Sequence, residues 1–437
     1  MSIPLMTATI LGTFIVLLLI GIPIAFCLIG TSLIFAAIFI DPAIMYTVYS
    51  NAFRTITQEV FVAVPLFVFM ATILQNSGIG SALYEVLYKW FAGVRGGLAV
   101  GTIILCTLIA AMTGLGATGV VTIGYLGFPE MEKRGYDRSI SLGCIPPGGA
   151  LGPLIPPSVL MIVLGGFAHV SVGRLFIGGI FPGLLMAFLF IIYITIRCWH
   201  QPRLAPAMPP EDRSSWKDKV ISLRGVILPI TLILMVLGTI YAGIATPSEA
   251  GGVGAFGALI SAAIYRRLSW KNLREATFMA AKIVAMVMWL VIGGSAFSSI
   301  LLAGGINHFI SDSITSLAIS PMVVLLIMMV IPFLMGMFMD GGAIMMILIP
   351  IFMPVVTLLG IDPLWFSLLF TINIVIGYVT PPFGFNLFYT KGITPDDVTM
   401  ADIYRAVIPF VVIMVVTLVL CVIFPPILTW LPNRMIG

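Results

Sequence analysis

Among the residues inside the apolar stretches of this chain, six polar side chains, one carboxylate and two proline pairs stand out. Together they suit the handling of a small cation and a small anion. The hydroxyls are Thr113, Thr118, Ser158 and Thr380, and the amides are Asn373 and Asn386. Asp340 is the carboxylate, and an ionisable group within a membrane span is a functional candidate by default. Three roles are open to it: sodium ligand, proton carrier, or cap of the helix that follows. The proline pairs are Pro156-Pro157 and Pro381-Pro382. Each removes two amide donors and disfavours α geometry in the residue before it. The carbonyls of Gly152 to Ile155, and of Gly377 to Thr380, are therefore expected to lose helical partners. In hydrocarbon an unpaired carbonyl is costly. A sodium ion satisfies it, because hard cations take oxygen ligands. Neighbouring hydroxyls and water at a plain proline kink also would.

Duplication favours the ion. Pro129, Gly135, Asp137, Gly152, Pro156 and Pro157 recur 225 residues later as Pro354, Gly360, Asp362, Gly377, Pro381 and Pro382. A paired, Gly/Pro-interrupted segment in two hydrophobic halves is the mark of a secondary transporter, and it points to the transport site. The copies are not chemically equal: Asp340 falls where the first has Leu115, and Asn386 where the first has Met161.

The elements that must hold these residues are membrane spans. The chain has 437 residues, is 60% hydrophobic and 9% charged, and has a mean hydropathy of +1.17. Soluble domains carry about 25% charged residues. A net charge of +4 says nothing about nucleic acid here, since the basic residues sit in short loops between spans. Residues 3–40 are too long for one span and read as two, turning near Gly21-Ile22-Pro23. Met1-Ser2-Ile3-Pro4 carries no basic region, so this run does not read as a cleaved leader. Further apolar stretches lie near 58–77, 97–131, 138–170, 175–198, 224–243, 250–266, 276–302, 321–356, 363–390 and 406–430, and the polar stretch 199–222 divides the halves. The five cysteines show no metal spacing and read as small buried hydrophobes.

Basic residues set the orientation. With the N-terminus outside, only Arg54, Arg174 and Arg434 fall on that side, so both termini are expected there. Segment 97–131 then has both ends inside, flanked by Lys89 and Arg95 and by Lys133, Arg134 and Arg138. It reads as a re-entrant hairpin of two 14–16-residue arms, tipped by Thr113 to Gly119. Two short full spans joined by a Gly-rich outer loop are the plainer alternative. Segment 321–356, tipped at 336–342, has no basic flank and enters from outside, so the two copies are inverted. Helix N-termini at the tips would favour an anion without a buried arginine. Candidate substrate contacts are Thr113, Gly114, Gly116, Ser158, Asp340 and Asn386. Lys282 is expected to snorkel to the inner interface, Thr246-Pro247-Ser248-Glu249 to start a helix, and His169, His200 and His308 to sit near span ends. No ATP-binding, nucleophile-elbow or zinc-protease motif occurs. A channel and an intramembrane enzyme fit less well, because channels usually repeat about a pore axis and no second acid pairs with Asp340.

The stretches GFPEMEKRGYDRS (127–139), GALGPLIPPSVLMIVLG (149–165), ATPSEAGG (245–252), MDGGAIMMILIPIFMPVVTLLGIDP (339–363) and IGYVTPPFGFNLF (376–388) resemble the large membrane subunit of the tripartite ATP-independent periplasmic (TRAP) transporters. The first tip departs from the family's Ser-Gly-Ser-type run, and Thr118 is the candidate for the second hydroxyl. The resemblance implies an all-α polytopic elevator-type fold, with two re-entrant hairpins and two broken transmembrane helices. It implies sodium-coupled uptake of a small organic acid across the bacterial inner membrane, with a periplasmic binding protein and a small four-helix membrane subunit as partners. A self-sufficient sodium/organic-anion symporter is the alternative. The carrier would be 97–170 and 321–390, and the frame 1–96, 171–275, 276–320 and 391–437. One sodium site would use carbonyls of Gly152, Ile155 and Pro157 with Thr113 or Thr118. The other would use Gly336, Asp340, Gly341, Gly377 and Thr380.

Overall fold

The computed structural model describes residues 2–40, 44–114, 116–209, 211, 213–316 and 319–435, and these contain helices and no strands. The repeat extends far beyond the proline pairs. Gly116–Lys133 is matched 225 residues on by Gly341–Leu358, Arg138–Ala150 by Pro363–Gly377, and Val159–Ala168 by Phe385–Ile393. Leu115, the first-copy counterpart of Asp340, lies outside the described residues.

The duplicated Gly and Asp have local jobs. Gly135 and Gly360 end the second arms of the two hairpins in the left-handed region (φ 71° and 65°). The next amides, of Tyr136 and Ile361, reach back to the carbonyls of Met131 and Val356, a glycine-terminated helix end. Asp137 and Asp362 then cap the following helices, each accepting a 2.8 Å hydrogen bond, from the amides of Ser139 and Leu364. Losing such a cap costs about 0.5–2 kcal/mol. Asp362→Ala should therefore lower the thermal midpoint of the purified protein, and Asp362→Asn should not; equal losses would mean that the charge, not the cap, matters.

Both hairpins form. The first has arms Gly97–Thr113 and Gly116–Lys133, reversed at Gly114 (φ 62°). The arms have 17 and 18 residues, longer than expected, because the helices run through to their glycine ends. At 1.5 Å per residue each reaches about 26 Å, still short of a roughly 30 Å hydrocarbon core. The second hairpin has arms Pro321–Gly336 and Gly341–Leu358. After each hairpin comes a broken helix. Pro363–Gly377 is buried from Leu364 to its end, whereas Arg224–Tyr241 buries only Pro229, Leu232, Val236 and Ile240. A helix apolar all round belongs in the middle of the molecule, and one with a single buried stripe belongs at its edge.

The early turn lies at Gly21 (φ 89°), between Ile3–Leu19 and Ile24–Phe35. Amphipathic helices Ile44–Ile56, Ile79–Phe91 and Ile306–Ser316, and the short Trp216–Ser222 inside the polar stretch, escaped hydropathy because each carries polar residues through its length. The span expected at 276–302 begins earlier. Ser269 caps it and it runs Trp270–Ala303, 34 residues without a break, so a frame division at 275 falls inside it. Thr246 and Glu249 form the expected helix start as a reciprocal capping box.

On one face, Arg138 bridges Glu132 (2.8 Å) and Asp397 (2.7 Å), tying the first broken helix to the loop after the second. The Arg138 guanidinium holds the Asp397 carboxyl below its ordinary 3.8. A lowered carboxyl contributes stability above its unfolded value and loses it as pH falls through the folded one. The pair should thus leave stability flat from pH 5 to 8. A drop in thermal midpoint across that range that Asp397→Asn removes would contradict this.

Candidate transport site

The tips and breaks of both halves meet around one cavity of about 470 Å³. Gly114, Gly116 and Thr118 come from the first tip and Asp340 and Gly342 from the second. Pro153 and Tyr378 come from the two breaks, and Val159, Phe385 and Asn386 from the helices that resume after them. The long helix Trp270–Ala303 closes the remaining side with Ile283, Met286, Val287 and Leu290. Four helix N-termini, at Gly116, Val159, Gly341 and Phe385, thus border a single space. Helix N-termini carry partial positive charge, although here the amides of Met161, Gly341, Gly342 and Asn386 already have partners. Among the described lining residues Asp340 is the one carboxylate, and there is no Lys or Arg.

Asp340 is exposed to this cavity and caps Gly341–Leu358. One carboxylate oxygen accepts from the Gly342 amide at 2.9 Å; the other accepts from the Tyr378 hydroxyl at 3.3 Å. The same hydroxyl accepts from the Gly341 amide at 2.8 Å. Tyr378 therefore pins the second tip to the second break. Sequence reasoning missed it, although it stands three residues before Pro381; its first-copy counterpart is Pro153, which can do nothing similar.

The breaks are partly repaired from within. The Ser158 hydroxyl donates to the Pro153 carbonyl at 2.7 Å and caps the next helix by accepting from the Met161 amide. It is fully buried and does not line the cavity, so the expected substrate contact at Ser158 is not brought there. Thr113 is likewise turned away: its hydroxyl donates to the Ile109 carbonyl at 2.9 Å. In the second break the amide of Thr380 returns to the Gly377 carbonyl and that of Asn386 to the Tyr378 carbonyl. The expectation that all of Gly377 to Thr380 lose partners is thereby corrected: the chain turns once more before the prolines. The Thr380 hydroxyl donates to the Ile376 carbonyl at 2.7 Å. No hydrogen bond among the described residues reaches the carbonyls of Gly152, Ile155, Pro157, Val379 or Thr380. Pro156-Pro157 and Pro381-Pro382 are both cis.

Close backbone approaches lock tips to breaks. A methyl group on Gly114 would lie 2.2 Å from the Pro157 carbonyl oxygen. One on Gly377 would lie 2.7 Å from the α-carbon of Gly336, and one on Gly341 2.5 Å from the Tyr378 hydroxyl. Asn386 donates to the Pro146 carbonyl at 3.0 Å and so joins the two broken helices, while Asn373 donates to the Met329 carbonyl of the second hairpin.

Two hairpins, two broken helices and an inverted repeat around a central cavity define a secondary-transporter fold. The architecture resembles the crystal structure of the Alcanivorax borkumensis YdaH transporter, with a TM-score of 0.65 over 88% of this chain and 90% of that one, at 16% identity. Residues 11–427 match the family described as tripartite ATP-independent periplasmic transporter, DctM component, and the chain belongs to that family. It is 32% identical to the C4-dicarboxylate TRAP transporter large permease protein DctM of Pseudomonas aeruginosa, over 87% of this chain and 88% of the relative. It is also 32% identical to the ectoine/5-hydroxyectoine TRAP transporter large permease protein UehC of Ruegeria pomeroyi, over 98% of each.

Proposed function

We propose that this chain carries a small organic acid inward across the bacterial inner membrane, driven by sodium. The observation that carries this reading is the makeup of the central cavity: four helix N-termini, one carboxylate and no cationic side chain among its described lining residues. Helix N-termini suit a carboxylate cargo, but Asp340 repels it. Two unit charges about 5 Å apart at an effective dielectric of 20 repel by about 3 kcal/mol. A sodium ion between them reverses the sign, which makes anion binding depend on sodium. The second ion site is then Asp340 with carbonyls at Gly336, Gly377 and Thr380 and the tip at Gly341. The first is the carbonyls of Gly152, Ile155 and Pro157 with the first tip, reached through Thr118 rather than the turned-away Thr113.

The moving part is 97–170 with 321–390, sliding as an elevator in the frame. A periplasmic binding protein delivers the cargo, a small four-helix subunit supports the frame, and both termini are periplasmic. The relatives named for C4-dicarboxylates and for ectoine are equally similar to this chain, so the cargo is set at the level of small organic acids.

The test is uptake of labelled succinate, pyruvate, gluconate and isethionate into proteoliposomes holding this chain and its small partner. Uptake of one of them that needs both an inward sodium gradient and the binding protein supports the reading. Uptake with sodium alone would make the protein a self-sufficient symporter, and uptake indifferent to sodium would remove ion coupling.

A further inference from the structure

A second void, of about 850 Å³, runs along the first half of the long helix Trp270–Ala303. Lys271, Arg274, Glu275, Phe278 and Lys282 line it, and Asn76 at the end of Ala63–Asn76 faces them. Three cations against one carboxylate leave it positive. None of the ion pairs among the described residues engages Lys271, Arg274 or Lys282. Arg274 stacks over the Phe278 ring at 5.6 Å.

Helix register joins this void to the central cavity. Glu275, Met279, Lys282, Met286 and Leu290 follow one another at three- and four-residue steps, which is one stripe of an α-helix. Met286 and Leu290 line the central cavity, whereas Glu275, Met279 and Lys282 line the basic void. Lys282 is thus about one turn, roughly 6 Å of rise, from the cavity wall. The far half of the same helix offers no such passage: Val291, Phe297 and Ile300 are fully buried. The first tip lies near the same region. Thr113 and Thr118 share a small void with Leu74, Gln75 and Ile79, around the same end of Ala63–Asn76 that faces Lys282.

We propose that this basic vestibule is the exit path of the transported anion, with Lys282 the first cation the cargo meets on leaving the cavity and Arg274 and Lys271 the next. The proposal rests on the inward organic-acid reading above. The groove is open, with seven of its eight lining residues on this one helix, and a cationic face of that kind beside the cavity raises the local anion concentration.

The test uses the whole transporter, with small subunit and binding protein, in phosphatidylcholine vesicles with and without phosphatidylglycerol. The probe is whichever of the four acids above the unaltered protein takes up; uptake of none of them overturns the functional reading and this proposal with it. Lys282→Gln should lower the maximal rate about three- to tenfold by loss of its charge. It should leave the sodium dependence and the KM for loaded binding protein unchanged, and Lys282→Arg should restore the rate. Salt trapped inside the vesicles should narrow the gap, as screening requires. A Lys282→Gln rate equal to that of the unaltered protein would overturn the proposal. So would an unaltered rate that falls without phosphatidylglycerol while Lys282→Gln does not respond, since the cations would then serve a lipid headgroup.

Discussion

Asp340→Asn should abolish sodium-driven uptake while leaving the protein folded. Asparagine caps a helix about as well as aspartate, so the start of Gly341–Leu358 survives, and the Tyr378 hydroxyl still finds an amide oxygen within reach. What disappears is the single negative charge among the described residues of the cavity. If that charge holds a sodium ion against an incoming carboxylate, its loss weakens the ion by several kcal/mol, and every 1.4 kcal/mol is tenfold. Uptake at fixed sodium should fall more than about a hundredfold on that scale. Thermal stability in detergent should change by less than about 1 kcal/mol, because the cap is retained. The decisive readout is the sodium concentration for half-maximal uptake. If Asp340→Asn keeps that value and its rate, Asp340 is a structural cap and the second ion site lies elsewhere. Asp340→Ala separates the roles further: it should lose the cap as well as the charge, and its melting point should drop where that of Asp340→Asn does not.

The architecture was legible because two independent features of the chain agree. The fixed offset between the proline pairs marks the repeat, and the basic flanks around 97–131 with none around 321–356 point to its inversion. Pro156-Pro157 and Pro381-Pro382 marked the breaks because each removes two adjacent amide donors and the two recur at the repeat offset, whereas Pro146-Pro147 has no such counterpart and lies within the helix Arg138–Ala150. Amphipathic helices such as Ile79–Phe91 stayed hidden, since hydropathy averages over a face and these helices bury only one. At the site, Gly114, Gly116, Asp340 and Asn386 could be placed because tips and breaks define them. The fates of Ser158 and Thr113 could not: the Ser158 hydroxyl turns to a carbonyl at the break, and the Thr113 hydroxyl bonds back to the carbonyl four residues earlier in its own helix, before either is offered to a ligand. Tyr378 was invisible for a related reason. Its value lies in reaching Asp340 and Gly341, 38 and 37 residues away, and no local pattern encodes that reach. The wall formed by Ile283, Met286, Val287 and Leu290 reads in sequence as an ordinary span.

Gly377→Ala should damage the contact between the second tip and its break. The added carbon would lie 2.7 Å from the α-carbon of Gly336, 2.9 Å from its carbonyl carbon and 3.3 Å from its oxygen. All three are backbone atoms of a helix, so no side chain can swing aside. The first copy does not share this contact. The residue matching Gly336 there is Ala111, and the close approach is made instead at Gly149, where a methyl group would fall 2.8 Å from the Val120 amide nitrogen. Relief at Gly377 requires the end of Pro321–Gly336 to move away from the break, which strains the Gly384 amide to Met337 carbonyl bond and the bond of the Gly341 amide to the Tyr378 hydroxyl. Overpacking of this kind costs about 1–3 kcal/mol. At 1.4 kcal/mol per factor of ten, the closed arrangement of tip and break should lose roughly five- to 150-fold in population, and sodium affinity with it. Gly252→Ala is the matched control: nothing lies within 4 Å of its added carbon, and it sits inside the helix Pro247–Ile264. There alanine should be neutral or stabilising by up to about 1 kcal/mol. Sodium-driven uptake and thermal midpoint, measured side by side, should both fall for Gly377→Ala and hold for Gly252→Ala. If Gly377→Ala kept its sodium affinity, the backbone contact between tip and break would not be what shapes the ion site, and the carbonyls freed by Pro381-Pro382 would have to act without the hairpin.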